Sequence, residues 1–288
     1  MVESEIEALW NTVQEFVHAL QRRDPTVRRW VVPGSEADIL LDLYGEQALL
    51  TLLKDYLGRK FTLLRSGPVP GEKETLRRVE IGWVKREGLR PTAEERVTLQ
   101  LRRVRGRWRV EDVWPSPLDA PLTVSQAREL AGREGRAEPA VLFLAGRSPV
   151  SLEGCGELDD VETLFVLGME QEGFSPREIV RAVRLWRDFL RLGRPAYRKP
   201  ALYAATVHYA LCLLGHYDDT RQGIAAYYGV NPRSLGARLA EMERHLHLVH
   251  FDPRYSALGP PPEAWKERWL ASGRPWPIPL RQPVDLGE

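Results

Sequence analysis

Cysteine is almost absent from this sequence. There are two, Cys155 and Cys212, far apart in the chain, and neither has a second Cys at ligand spacing. That excludes a disulfide framework and argues against a zinc site; Cys212, on an apolar stretch, reads as a small core residue. Long hydrophobic runs are missing too: no apolar run reaches the roughly 18 residues of a membrane span. The N-terminus, MVESEIEALWNTVQEF, has no basic n-region and no apolar h-region. The expectation is a soluble, cytoplasmic protein with no membrane partner. An excess of one charge is also lacking, since 41 Lys and Arg face 40 Asp and Glu. Any attraction to nucleic acid must therefore be local. Nothing carries the spacing of a catalytic or metal site, and no cofactor is expected.

What is present is a chain of 288 residues, 43% of them hydrophobic, enough for about two domains with buried cores. The first is expected over 1–117. Ile6, Leu9, Val13, Phe16, Val17 and Leu20 repeat with helical period. Asp24-Pro25 and Pro33-Gly34 are turns, Ser35 resembles a helix start, and segments 39–43 and 48–57 continue as helix to Gly58. The period then changes. Stretches 61–64, 75–84, 96–104 and 108–114 are β-branched and aromatic, and Val97, Leu99, Leu101, Trp108 and Val110 alternate with polar residues as half-buried antiparallel strands do. Gly106 marks a hairpin turn, and 68–71 is read as a loop.

Helices followed by a meander ending in GRWRVEDVWPSP resemble the nuclear-transport-factor-2-like, or ketosteroid-isomerase-like, cone. The resemblance covers about 3–116 and implies an α+β domain with a curved antiparallel sheet and an apolar pocket. Some members are isomerases or dehydratases; many only bind a ligand or partner. The acid-base groups on offer are Asp38, Asp42, Tyr44, Asp55, Tyr56 and Asp112, of which Tyr44, Tyr56 and Asp112 are the pocket candidates. Alternation places Asp112 on the face of Val110 and Trp114, where a carboxylate in an apolar cavity would serve proton abstraction. The competing reading, with Arg102, Arg103, Arg105, Arg107 and Arg109 nearby, is a solvated or salt-bridged surface aspartate.

Residues 118–157 are read as a structured linker, with a short helix from about 124 capped by Thr123 or Ser125. Residues 158–250 form an all-α domain of five helices. Ser175-Pro176 with Glu178 is a capping box with proline at the first helical position. The strongest local signal is TRQGIAAYYGVNPRSLGARLAEMERHL at 220–246. Thr220 caps one helix, Gly229 supplies a left-handed corner, Asn231 and Pro232 open the next, and Leu235, Leu239, Met242 and Leu246 form an inward stripe. This is the logic of a helix-turn-helix.

KPALYAATVHYALCLLG followed by TRQGIAAYYGVNPRSLGARLAEM resembles one cyclin-box repeat of the transcription factor IIB type, in which an alanine-rich helix packs centrally and the repeat ends in a helix-turn-helix. Ala204, Ala205, Ile224, Ala225, Gly229, Val230, Ser234, Leu235 and Arg238 match that pattern. Only one repeat is present and no zinc ribbon precedes it, so a general initiation factor is not implied.

For duplex DNA, Arg233 is the residue placed to reach a guanine edge, with Ser234 beside it. Arg221, Gln222 and Arg238 are placed for phosphates, and Arg244 is an outward cation further along. Arg177, Arg181, Arg184, Arg191 and Arg194 add a basic stripe. Against this, Asp159, Asp160, Glu162, Glu170 and Glu172 make the preceding helix acidic and able to cancel the stripe, and Gly236 and Ala237 offer no side chains to read bases. The tail, 251–288, carries Trp265, Trp269 and Trp276 among prolines and is expected to be ordered, its tryptophans laid on another domain. The expectation is a non-enzymatic regulatory or accessory protein binding DNA. The alternatives are a protein-interaction scaffold with a protein partner, or a small-molecule or isomerase-type site in the N-terminal pocket.

Overall fold

The computed structural model describes residues 2–54, 59–69, 72, 74–84, 90–133, 137–148, 150–152, 158–193, 199–259, 261–282 and 284. The chain divides into two compact units, Met1–Glu157 and Leu158–Glu288. It is mixed α+β, with a four-stranded antiparallel sheet in the first unit and mostly helices in the second. Among the described residues no helix is long and apolar enough to cross a membrane.

In the first unit α1 (Val2–Gln21) and α2 (Glu36–Leu52) precede the sheet. Ser35 caps α2 by accepting from the Asp38 amide. Gly45 breaks α2 from within, at φ 63° and ψ −164°, a conformation open to glycine. The two helical segments read from the sequence are its two halves. The helix ends at Leu52, earlier than periodicity suggests, and Gly58 lies outside the described residues.

The sheet is a meander of β1 (Phe61–Pro68), β2 (Leu76–Trp83), β3 (Arg96–Val104) and β4 (Arg107–Trp114). Pro68, expected in a loop, ends β1 opposite Arg77, and proline is tolerated there because β1 is an edge strand. Val79, Ile81, Val97, Leu99, Leu101, Val110 and Val113 are fully buried, and α1 and α2 lie on β4. Arg105 and Gly106 both have positive φ, 50° and 80°, the two-residue primed turn whose twist suits a hairpin. Beyond the sheet, α3 (Val124–Gly132) is capped by Thr123, and α4 (Pro139–Leu144) sets Phe143 edge-on against Tyr44 of α2 at 5.6 Å. The linker segment thus packs on the first unit.

The second unit contains α5 (Asp160–Gln171), α6 (Pro176–Gly193), α7 (Pro200–Leu214), α8 (Arg221–Tyr227), α9 (Pro232–Leu246) and α10 (Glu263–Ala271). The capping box closes: the Ser175 amide donates to Glu178 at 2.7 Å and the Glu178 amide to Ser175 Oγ at 3.3 Å. Helix α7 touches α5, α6, α8 and α9. Its Ala204, Ala205, Ala210 and Cys212 are fully buried; small side chains let four neighbours approach one axis. The tail folds within its own unit. Trp265 and Trp269 stack at 5.2 Å and join Phe251 and Ile278 in a small core. The His250 amide donates to Ile278 O at 2.9 Å.

Candidate nucleic-acid interface

The corner between α8 and α9 is built by local chemistry. Thr220 Oγ1 accepts from the Gly223 amide at 3.1 Å. At the far end of α8, Val230 N–H donates to Ala225 O at 2.9 Å and Gly229 N–H to Ala226 O at 3.1 Å. Gly229 sits at φ 63°. This pair of bonds with a left-handed glycine closes a helix end and turns the chain. Asn231 Oδ1 then accepts from the Arg233 and Ser234 amides at 2.8 and 3.3 Å, and Pro232 fills the first helical position. Ile224, Ala225, Leu235, Leu239, Met242 and Leu246 are buried, so one side of both helices is committed to the core.

The other side carries the candidate contacts. Arg221, Gln222, Arg233, Ser234, Ala237 and Arg244 are exposed. Among the described residues no carboxylate forms an ion pair with Arg221, Arg233 or Arg244. Arg238 differs: its guanidinium pairs with Glu241 one turn along α9, so it is partly neutralised at the place where a phosphate contact was expected. Gly236 also differs from the sequence reading. A Cβ there would lie 2.9 Å from Arg221 Nη1 and 3.6 Å from its Cδ. The space that glycine leaves is filled by the Arg221 side chain, which rests on the first turn of α9. Arg233 and Gly236, three apart, share a helix face. Two cations from different helices thus lie on one side of the corner, Arg221 seated there by its contact with Gly236.

Beneath α8 lies a buried polar support. His208 on α7 is fully buried; its Nδ1 lies 2.9 Å from Tyr228 Oη and its Nε2 3.2 Å from Glu172 Oε2. Burial pushes the His208 pKa down to about 4, and it pushes Glu172 and Tyr228 up. The imidazole is neutral near pH 7. Burial also raises the Cys212 thiol, which keeps it protonated and unreactive. Among the described residues no group of three or more His, Cys, Asp or Glu could hold a metal ion.

The basic stripe on α6 is spent on structure. Arg181 Nη1 donates to Pro253 O and Arg254 O at 2.8 and 2.7 Å. Arg191 pairs with Asp188 at 2.9 Å, and Arg177 is buried. Arg184 also has a partner, and Arg194 lies outside the described residues. The acidic helix α5 is answered from α6 by a residue outside that stripe: Arg187 Nε donates to buried Glu162 at 2.7 Å. Asp159 accepts from Trp186 Nε1 at 2.8 Å.

In the first unit the pocket candidates do not converge on a described cavity. Tyr44 is buried against Phe143, and Tyr56, like Asp55, lies outside the described residues. Asp112 is buried rather than solvated, with Oδ1 accepting its neighbour's Val113 amide at 2.7 Å. The alternation from Val110 to Asp112 fails because β4 bulges: Leu101 pairs with Val110, but Gln100 pairs with Asp112. Val113, opposite Leu99, takes the next core position. A cavity of about 360 Å³ beside Gly45 is lined by Arg23, Val27, Arg28, Leu41 and Leu50, and one of about 660 Å³ by Arg65, Glu80, Arg90, Arg96 and Asp119. Neither includes Tyr44 or Asp112. Sequence reasoning missed Glu80, whose buried carboxylate accepts from Arg65 at 2.7 Å, Arg96 at 3.2 Å and the Leu118 amide at 3.1 Å. The only signal was a carboxylate between Val79 and Ile81 on a central strand.

Comparison with protein-family models, with curated proteins and with solved structures finds no match to this chain.

Proposed function

We propose that this chain is a non-enzymatic regulatory or accessory protein that binds duplex DNA through the α8–α9 helix-turn-helix. One observation carries the reading: Arg221 and Arg233 are both exposed and without a carboxylate partner among the described residues, and Arg221 is seated on the first turn of α9 over Gly236, on the helix face that Arg233 shares. Exposed cations on one side of the corner without counterions favour an anionic ligand. A helix start facing outward is how such corners enter the major groove. Packing of α7 against four helices supports the cyclin-box resemblance as the architecture behind the corner. The order of two helices and then a meander supports a cone-like first unit.

Duplex binding by the full chain tests the reading. Affinity should fall steeply with salt, and Arg233→Ala should weaken it by roughly 1–3 kcal/mol if the contact is to a base edge. A well-folded protein that binds no duplex at low salt refutes it.

A second reading, a protein-interaction scaffold, is favoured by an apolar patch. Leu164 and Leu167 on α5 are 40% and 47% exposed, and Tyr227, 47% exposed, donates its hydroxyl to Gln171 of α5 at 2.9 Å. A protein partner retained at high salt and lost on Leu167→Asp would support that reading over DNA binding.

A further inference from the structure

The tip of the β3–β4 hairpin concentrates charge that the fold does not neutralise. Arg102, Arg103, Arg105, Arg107 and Arg109 fall within eight consecutive positions of a chain whose net charge is +1. Arg102 is answered by Glu111, at 2.7 Å. Arg103, Arg105 and Arg107 are exposed and Arg109 is half-buried, and none of the four forms an ion pair among the described residues. Glu74 stands beside the hairpin, next to Thr75, whose carbonyl accepts from the Arg103 amide at 2.8 Å, yet it too pairs with none of them.

The geometry makes the tip a projection. Strand β2 begins at Leu76, opposite Arg102, and the last bond to that side is from the Arg103 amide to Thr75 O, so residues 104–107 extend past the ladder. The turn at Arg105 and Gly106 is the tight two-residue kind, which fixes the direction of the finger. Arg109 lies directly across from Arg102, and like charges in that position oppose strand pairing. One charged residue is enough to keep an edge strand such as β4 from pairing with another chain. Four unpaired cations of one sign go beyond that need and cost the free protein repulsion. A polyanion relieves it.

We propose that the β3–β4 hairpin is a phosphate-binding finger for the backbone of duplex DNA. Arginine suits the task because its planar fork meets phosphate oxygens two at a time. Arg107 and Arg109, two residues apart on one strand, present their side chains from one face about 7 Å apart, within reach of neighbouring phosphates. The contact is to the backbone, so it adds affinity and salt dependence without sequence preference. The cationic finger is read from the first unit alone, and the choice of duplex DNA as its polyanion rests on the function proposed above.

The test uses the full chain and a labelled duplex of about 25 base pairs, titrated from about 50 to 200 mM salt. The triple variant Arg105→Ala/Arg107→Ala/Arg109→Ala should lose roughly tenfold or more in affinity at low salt. Its log–log salt slope should become shallower by about 2–3. The corresponding triple Lys variant should keep most of the slope. The melting temperature of the Ala variant should stay the same or rise, because repulsion is removed. An unchanged slope in the triple Ala variant overturns the finger, as does binding of heparin or poly-glutamate with no binding of the duplex. If the triple Ala variant loses slope while Arg221→Ala/Arg233→Ala does not, the finger stands and the α8–α9 reading falls. The reverse result keeps that reading and removes the finger.

Discussion

Substituting Gly236 by alanine separates fold from function in one step. Glycine inside a helix costs up to about 1 kcal/mol relative to alanine. Gly236 lies one turn into α9, within Pro232–Leu246. The new Cβ would meet Arg221 Nη1 at 2.9 Å, too close for both to stay. The atom that must yield is the far end of a flexible, exposed side chain, so moving it costs little. The net effect expected on the second unit is therefore stabilisation of about 0.5–1 kcal/mol, a rise of roughly 2–5 °C in its melting temperature. The Arg221 guanidinium, however, loses its seat. If it binds a phosphate from there, duplex affinity should fall and the salt slope should become shallower by about 0.9. Circular dichroism melts and fluorescence anisotropy at several salt concentrations read both effects, and Arg221→Ala should reproduce the binding loss without the gain in stability. A Gly236→Ala protein that melts lower shows that the seated Arg221 is structural. One that binds duplex like the unaltered chain shows that the seat has no part in recognition.

Other substitutions probe the remaining parts. Leu239→Ala removes a buried side chain from the inner face of α9 and should cost roughly 2–5 kcal/mol by denaturant unfolding, with binding lost only as the fold is lost. Arg238→Ala should weaken duplex binding less than Arg233→Ala, because Glu241 already neutralises Arg238; an equal or larger loss in anisotropy would make Arg238 a primary contact. Glu80→Gln leaves Arg65 and Arg96 facing a neutral group and should cost the first unit about 2 kcal/mol by denaturant unfolding, less than a fully buried pair because both arginines are partly exposed. His208 has its folded pKa depressed to about 4, so the unfolded chain takes up the proton first. Its contribution to stability is complete above about pH 6.5 and is lost as pH falls towards 4, by about 2 kcal/mol at pH 5. Proton NMR of the His208 ring should show a midpoint near 4, and a midpoint at an ordinary histidine pKa would refute the burial argument.

The sequence showed most where structure is decided within a few residues. The caps at Ser35, Thr123, Ser175, Thr220 and Asn231 are set by a side chain reaching an amide two or three positions on, and the Gly229 corner by the absence of a Cβ. It showed less where partners are distant in the chain. The break at Gly45 shows in the sequence only as the gap between segments 39–43 and 48–57, while its backbone conformation is seen in the fold alone. The bulge before Asp112 is invisible because a strand pattern cannot show which residue its neighbour skips. Gly236 offers no side chain of its own on α9, and nothing in α9 itself announces that a side chain from α8 will lie there. The tail tryptophans close on Phe251 and Ile278 of their own unit, a pairing that composition alone does not specify.

The same distinction explains why counting charge was a poor guide to the interface. The excess of arginine around α6 looked like a surface for phosphate, yet Arg181 holds backbone carbonyls, Arg187 answers Glu162 and Arg191 answers Asp188. An arginine engaged in this way must break a bond before it meets a new anion, so its pairing energy is subtracted from any binding it offers. Arg221 and Arg233 carry no such debt among the described residues, and neither do the hairpin cations Arg103, Arg105, Arg107 and Arg109. For Arg221 the side chain also rests in the space above Gly236, so for that residue part of the ordering cost of binding is met before a ligand arrives. If both sites contact one duplex, their phosphate contacts add in the salt slope while specificity rests on Arg233 alone. Changing the base pair opposite Arg233 should then alter affinity without altering the slope, whereas removing the hairpin arginines should alter the slope equally on every sequence. A hairpin variant whose loss depended on the sequence of the duplex would contradict that division of labour.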